Sequence, residues 1–253
     1  MIKRTIKSAL LKGLGALKPG LSGASILMYH SVGSDSAFFT VHPDEFRRQM
    51  LAIKESGYPV RRLTDVVNDL RTGKEIEPCI VITFDDGYVN NITEALPILR
   101  EFGFPATIFV ATGLVGKTYT NSEKITLPIM SAAQIDEARK SNLIDLMPHG
   151  HMHINLLKAS EEELRKDLAD SIDALRVKNP ILAYPWGKHD DRTVSIAKEL
   201  GFIAAVGVQE GIVRKGDDPF SLKRNSVDSS TTIDQFKAKI SDANEMFVRM
   251  KGR

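Results

Sequence analysis

The chain has 253 residues, 42% of them hydrophobic, enough to bury one large core and in the size range of a single α/β barrel domain. Its 34 basic and 32 acidic residues leave a net charge of +2, and no basic stripe interleaved with aromatics occurs, so nucleic acid is not expected as a partner. Cys79 is the only cysteine, which excludes an internal disulfide and a multi-cysteine metal site and suits a reducing compartment.

In chain order the first element is basic. Up to Lys18 the sequence carries Lys3, Arg4, Lys7, Lys12 and Lys18 and no acid, while Ile2, Ile6, Leu10, Leu14 and Leu17 recur at helical spacing. This reads as an amphipathic leader, residues 1–23 with the Pro19–Gly23 linker, ahead of one domain over 24–253. The apolar runs are too interrupted for a transmembrane span or a secretory signal. A cytoplasmic location is therefore expected, with the leader either packed on the domain or making peripheral contact at the anionic inner membrane face.

Beyond the linker, apolar runs predict strands over Ser25–Tyr29, Cys79–Phe84, Ala106–Ala111, Leu143–Met147, Ile181–Tyr184 and Ile203–Val206. Helical patterns predict helices over Pro43–Glu55, Thr64–Leu70, Asn91–Phe102, Ser131–Lys140, Ser160–Val177, Arg192–Leu200 and Thr232–Asn244. The β/α alternation predicts a parallel sheet with helices outside, and its repetition over this length favours a barrel. The Gly113–Pro128 segment reads as a loop shaping a groove.

In such a barrel, chemistry gathers at the carboxyl ends of the strands. The Cys79–Phe84 run ends in two adjacent carboxylates, Asp85 and Asp86, which packing does not explain because unpaired charge is costly at a buried strand end. His30 ends the first run, His149 and His153 follow the Leu143–Met147 run, and Pro185-Trp186-Gly187 follows Ile181–Tyr184. Six histidines in the chain give about 0.14 expected i,i+4 pairs by chance. The pair His149/His153 is thus unlike a chance surface spacing. Residues four apart on a flat strand stand roughly 13 Å apart, so sharing an ion requires a turn, and Pro148 and Gly150 suit a bend. The zinc-protease helix motif fails, because Gly150 stands where it needs Glu.

Together these segments resemble the polysaccharide deacetylase family, the NodB-homology or carbohydrate esterase family 4 group. Thr83-Phe84-Asp85-Asp86-Gly87 matches its first motif and His149-Gly150-His151-Met152-His153 its second. Leu182-Ala183-Tyr184-Pro185-Trp186-Gly187 looks like the third in a version without the usual arginine. Leu27-Met28-Tyr29-His30-Ser31-Val32 resembles the branch of poly-N-acetylglucosamine deacetylases, in which an early Tyr-His replaces a late histidine. The resemblance spans roughly residues 24–226.

It implies a distorted, incomplete (β/α) barrel in one domain, with Asp86, His149 and His153 as metal ligands. One carboxylate and two imidazoles suit Zn²⁺, with Co²⁺ or Ni²⁺ as other candidates. Asp85 is the expected base and His30 the expected acid toward the leaving amine. Tyr88, Pro185, Trp186 and Arg224 form the expected substrate side, and Arg224 is also the candidate to orient the catalytic carboxylate in place of the missing arginine. Asp85 as a helix cap, His30 as a core histidine and Trp186 as a rim-closing residue are the structural alternatives. His42, His151 and His189 are left outside the metal and catalytic sets.

The expected function is metal-dependent removal of N-acetyl groups from an amino sugar in a cell-surface glycan or its lipid- or nucleotide-linked precursor. The alternatives are a sugar deformylase or O-deacetylase on the same scaffold, or an inactive glycan-binding module.

Overall fold

The computed structural model describes residues 20–121 and 123–245. The basic leader expected before Pro19 lies outside the described residues. The chain runs β1 (Ala24–Tyr29), β2 (Ser31–Val32), β3 (Thr40–Val41), α1 (Pro43–Ser56), α2 (Leu63–Arg71), β4 (Cys79–Phe84), a π-helical turn (Asn91–Ala95), α3 (Leu96–Phe102), β5 (Ala106–Val110), β6 (Thr118–Thr120) and β7 (Thr126–Pro128). It continues through α4 (Ala132–Lys140), β8 (Ile144–Pro148), α5 (Glu161–Leu175), β9 (Ile181–Ala183), α6 (Asp191–Glu199), β10 (Ala204–Val206), β11 (Asn225–Ser226) and α7 (Ile233–Lys239).

Five parallel strands pair in the order β11-β1-β4-β5-β8, and β9 and β10 form a second parallel pair. β9 lies beside β8 without a ladder. On the other side, Val206 bridges Leu222 in parallel, and the Pro219–Arg224 segment runs along β10 into β11. The strands therefore close into a ring, with no ladder between β8 and β9 and only the Val206–Leu222 bridge on the way from β10 to β11, in a mixed α/β single domain. This is the distorted, incomplete barrel that the resemblance implies.

The strands are apolar on both faces because both faces are covered. Alternation still sorts the side chains. Ala24, Ile26, Cys79, Val81, Phe109, Met147, Ile181, Ala183, Ala204 and Val206 share one buried cluster inside the ring, closed at its base by Leu63, Val66, Val67 and Leu70 of α2. Leu27, Tyr29, Ile80, Ile82, Phe84, Ile108 and Leu146 face outward into the layer under α1, α3 and α4, and Leu182, Tyr184 and Ala205 pack against α5 and α6. The same two-residue period carries the inward set Ile26, Met28 on to His30, Val81, Thr83 on to Asp85, and Met147 on to His149, all at the mouth where the strands end.

Helix boundaries follow local chemistry. Ser131, Ser160 and Thr232 each form a capping box with Gln134, Glu163 and Gln235, starting α4, α5 and α7. The helix expected over Asn91–Phe102 is split. Leu96 N–H reaches back five residues to Asn91 O, and Pro97, which has no N–H, follows it. The helix expected to run to Asn244 ends at Lys239, whose carbonyl accepts from Ser25 Oγ (2.7 Å) and Asn225 Nδ2 (3.1 Å).

Leu21 and Gly23, assigned to the linker by the expected boundary, are buried, and Leu21 N–H donates to the Tyr58 hydroxyl. The domain thus begins at or before Leu21. The expected Gly113–Pro128 loop contains the β6–β7 hairpin. That hairpin and the two-residue strands β2, β3 and β11 are too short to leave a periodic signal.

Candidate active site and metal centre

Asp86, His149 and His153 meet at the barrel mouth, with one donor atom of each within 4.8 Å of the others. Asp86 Oδ1 lies 3.4 Å from Nε2 of each histidine. Three site residues, Asp86 (φ 71°), His153 (φ 53°) and Trp186 (φ 61°), hold left-handed backbone that non-glycine residues seldom adopt. At Asp86 this turns the second carboxylate of the pair into the same mouth as the first, where plain strand alternation would send it to the opposite face. The bend expected at His149–His153 is present, and Asp167 of α5 makes it. Its buried carboxylate accepts from His151 N–H (2.9 Å) and Met152 N–H (2.7 Å). Gly150 (φ 71°) is required there, because a Cβ would stand 2.6 Å from Asp167 Oδ2.

His149 donates from Nδ1 to Ala183 O of β9 at 2.8 Å, so Nε2 is the atom that faces Asp86; burial would lower this imidazole, but Asp85, Asp86 and the Ala183 carbonyl hold it above its ordinary value. This bond also fastens the unladdered β8/β9 seam. One carboxylate oxygen and two imidazole nitrogens, buried and convergent, fit a borderline divalent ion such as Zn²⁺. Burial raises the Asp86 carboxyl, but the His149 hydrogen bond and the imidazoles gathered around it outweigh burial and hold the group below the carboxylate range. Burial and repulsion by His149 push His153 down to about 4, which keeps its ring neutral as ligation requires.

Asp85 is buried beside this cluster and caps no helix. Arg224 grips it with two parallel bonds, Nη1 to Oδ1 at 2.6 Å and Nη2 to Oδ2 at 2.7 Å. The guanidinium is itself fixed by Gly207 O (2.8 Å), Thr83 Oγ1 (3.2 Å) and the Phe109 ring. Burial would lift the Asp85 carboxyl, but Arg224 and His149 hold it below the usual carboxylate range. Arg224 is 0% exposed, so it orients the carboxylate; grouping it with residues that touch substrate is corrected by this burial.

The cleft above these groups has a volume of about 260 Å³ and is lined by His30, Phe39, Asp85, Asp86, Tyr88, Tyr119, His149, His153, Trp186 and Val208, among others. His30 lies on its wall against Phe39, and Asn91 Nδ2 holds the His30 carbonyl at 2.8 Å. The π turn that carries Asn91 thereby positions this histidine. Tyr88 stacks on Phe39 inside the cleft. Pro185, expected on the substrate side, is buried under the histidine bend near Gly150 and does not line the cleft, because the chain turns outward only at Trp186.

The other histidines have structural partners: His42 caps α1, His151 pairs with Thr112, and His189 stacks on Tyr184. Sequence reasoning missed Asp167, one acid among many in an amphipathic helix, and Tyr119, whose hydroxyl lies 3.1 Å from His153 Nδ1. A larger, shallower depression of about 610 Å³ beside α5 is lined by side chains such as Arg165, which pairs with Glu161 and Glu199, and offers no convergent chemistry.

The two-carboxylate turn, the histidine bend and the Tyr184-Pro185-Trp186 corner occupy one mouth, and residues 72–205 match the family model for polysaccharide deacetylase. The chain belongs to the polysaccharide deacetylase family. It is 29% identical over 223 residues to YxkH of Bacillus subtilis, covering 85% of this chain and 75% of that one. It is 25% identical over 212 residues to a poly-beta-1,6-N-acetyl-D-glucosamine N-deacetylase of Staphylococcus aureus, covering 79% and 72%.

Among solved structures, IcaB of Ammonifex degensii superposes with a TM-score of 0.76 at 25% identity over 87% of this chain and 98% of that one. The Streptococcus pyogenes deacetylase PplD, in complex with acetate, gives 0.74 at 25% identity over 86% and 98%. The family and the branch expected from the motifs are borne out, and with them the enzyme class, a carbohydrate deacetylase.

Proposed function

We propose that this polysaccharide deacetylase hydrolyses the N-acetyl group of an amino sugar in a poly-N-acetylglucosamine-like glycan or its precursor, using a divalent metal held by Asp86, His149 and His153. The observation that carries this reading is the convergence of those three donors beside Asp85, a carboxylate kept ionised and aimed by Arg224. Zn²⁺ or a related ion bound there supplies Lewis-acid polarisation of the acyl oxygen and lowers the pKa of water toward about 7.

Asp85 takes the proton from the attacking water, and its bidentate clamp keeps one orientation through that transfer. Tyr88 lines the cleft, and its N–H, which donates to no protein oxygen among the described residues, is the donor assigned to the developing negative charge. His30, on the same wall, is the group to protonate the leaving amine, so that acetate and a free amino sugar result. Trp186, 55% exposed at the rim, offers its face to a sugar ring. The basic N-terminal pattern supports contact with an anionic membrane surface, where a carrier-linked substrate would be met. No described helix is long and apolar enough to cross a membrane.

Acetate release from a panel of N-acetylated glucosamine oligomers and carrier-linked sugars tests this reading. Release is expected, to be abolished by chelator and restored by Zn²⁺ or Co²⁺. Formate release, acetate only from O-acetyl esters, or activity indifferent to chelator would each reject it.

A further inference from the structure

Trp186 is the only tryptophan of the chain, and its indole Nε1–H donates to Nδ1 of His153 at 2.9 Å. An indole nitrogen can only donate, so this bond makes His153 Nδ1 an acceptor. The proton of the neutral ring then sits on Nε2, which faces Asp86 Oδ1 at 3.4 Å. Nε2 is also the His153 atom on the side of the Asp86 carboxylate, where the cluster would hold a metal ion. A neutral imidazole ligating through Nε2 carries its proton on Nδ1. Two N–H groups cannot share one hydrogen bond. The Trp186 bond and ligation by His153 are mutually exclusive.

His149 shows the compatible arrangement, with Nδ1–H already on the Ala183 carbonyl. His153 has its own acceptor at hand, since the Tyr119 hydroxyl lies 3.1 Å from the same Nδ1. Trp186, more than half exposed, sits on left-handed backbone at the cleft rim, followed by Gly187 at φ 68°.

We propose that Trp186 and Tyr119 compete for His153 Nδ1: the indole N–H of Trp186 opposes metal ligation by His153 through Nε2, and the Tyr119 hydroxyl, as acceptor for Nδ1–H, supports it. The imidazole stays neutral throughout, its single proton passing from Nε2 to Nδ1 through solvent. The inference rests on the metal reading given above. It makes Trp186 and Tyr119 opposed positioning residues, one acting against ligation by His153 and the other for it.

Zn²⁺ dissociation constants from chelator competition on the full chain test it. Trp186→Phe removes a bond that opposes ligation and is expected to bind Zn²⁺ about two- to tenfold more tightly. Tyr119→Phe removes the acceptor and is expected to bind about two- to tenfold more weakly. In the wild type, the emission of the single tryptophan shifts at the same Zn²⁺ midpoint and acrylamide quenching rises. Circular dichroism checks that both variants fold. Trp186→Phe binding no more tightly than a wild type that does bind Zn²⁺ overturns this inference alone. A folded wild type that binds none of Zn²⁺, Co²⁺ or Ni²⁺ overturns the metal reading itself.

Discussion

Asp85 and Arg224 stand 139 positions apart and form a fully buried, bidentate ion pair. A charge in such a place is tolerated only with its partner, so removing one side is expected to cost far more than the pair contributes net. Arg224→Ala is expected to lower unfolding free energy by about 3–5 kcal/mol, measured by denaturant titration. Asp85→Asn keeps the shape but not the base. It is expected to cut kcat by about 10²–10⁴ while Zn²⁺ content stays near wild type, and an enzyme that keeps a tenth of its turnover would remove Asp85 from proton transfer. Asp85, Asp86, His149 and His153 were legible as residues because charge after a buried run and paired histidines defy packing. Arg224 is legible as a replacement for the arginine missing before Tyr184, but residue order also suggests a place on the substrate side, which its burial rules out. Nothing in residue order distinguishes Asp167 from Asp170, three positions later on the same helix.

At the scale of elements, the histidine bend is a short connection whose shape is imposed by a helix. Asp167 satisfies two successive N–H groups of the bend, so both ligands depend on α5 although neither lies on it. Asp167→Ala is expected to weaken Zn²⁺ binding about 10- to 100-fold, as loss of a partner that orients ligands does. Asp170→Ala, at a half-buried position of α5 where the carboxylate pairs with Lys166 and not with the bend, is the control expected to leave binding unchanged. Equal effects of the two substitutions would refute the role given to Asp167. The π turn works similarly on the opposite wall. Pro97 disrupts regular helix bonding, and the resulting turn places Asn91 under the His30 carbonyl. A helical pattern in the sequence predicts that an element is there, but not how its hydrogen bonds shift by one residue.

Across the whole molecule, the site is also a set of fasteners. His149 ties the end of β8 to β9, and Arg224, just before β11, ties the end of β4 to Gly207 after β10. An ion bound only by the folded ring therefore stabilises the entire barrel by mass action, about 2.7 kcal/mol at a hundred times Kd. For a chain of this size the expected rise in Tm is about 5–10 °C, read by scanning calorimetry with and without Zn²⁺. Asp86→Asn is expected to lose that rise. A wild-type Tm unmoved by saturating metal would contradict the proposed site.

Residue order suffices for the alternation of strands and helices, the strand ends at which chemistry gathers, and the residue types of the catalytic cluster, because apolar period and misplaced charge are local properties. Which side chains meet depends on the folded ring: Arg224 on Asp85, Asp167 under the histidine bend, Tyr119 and Trp186 on one nitrogen of His153. Those partners come from segments that approach each other only once the ring closes, and a contact between distant segments leaves no periodicity to read.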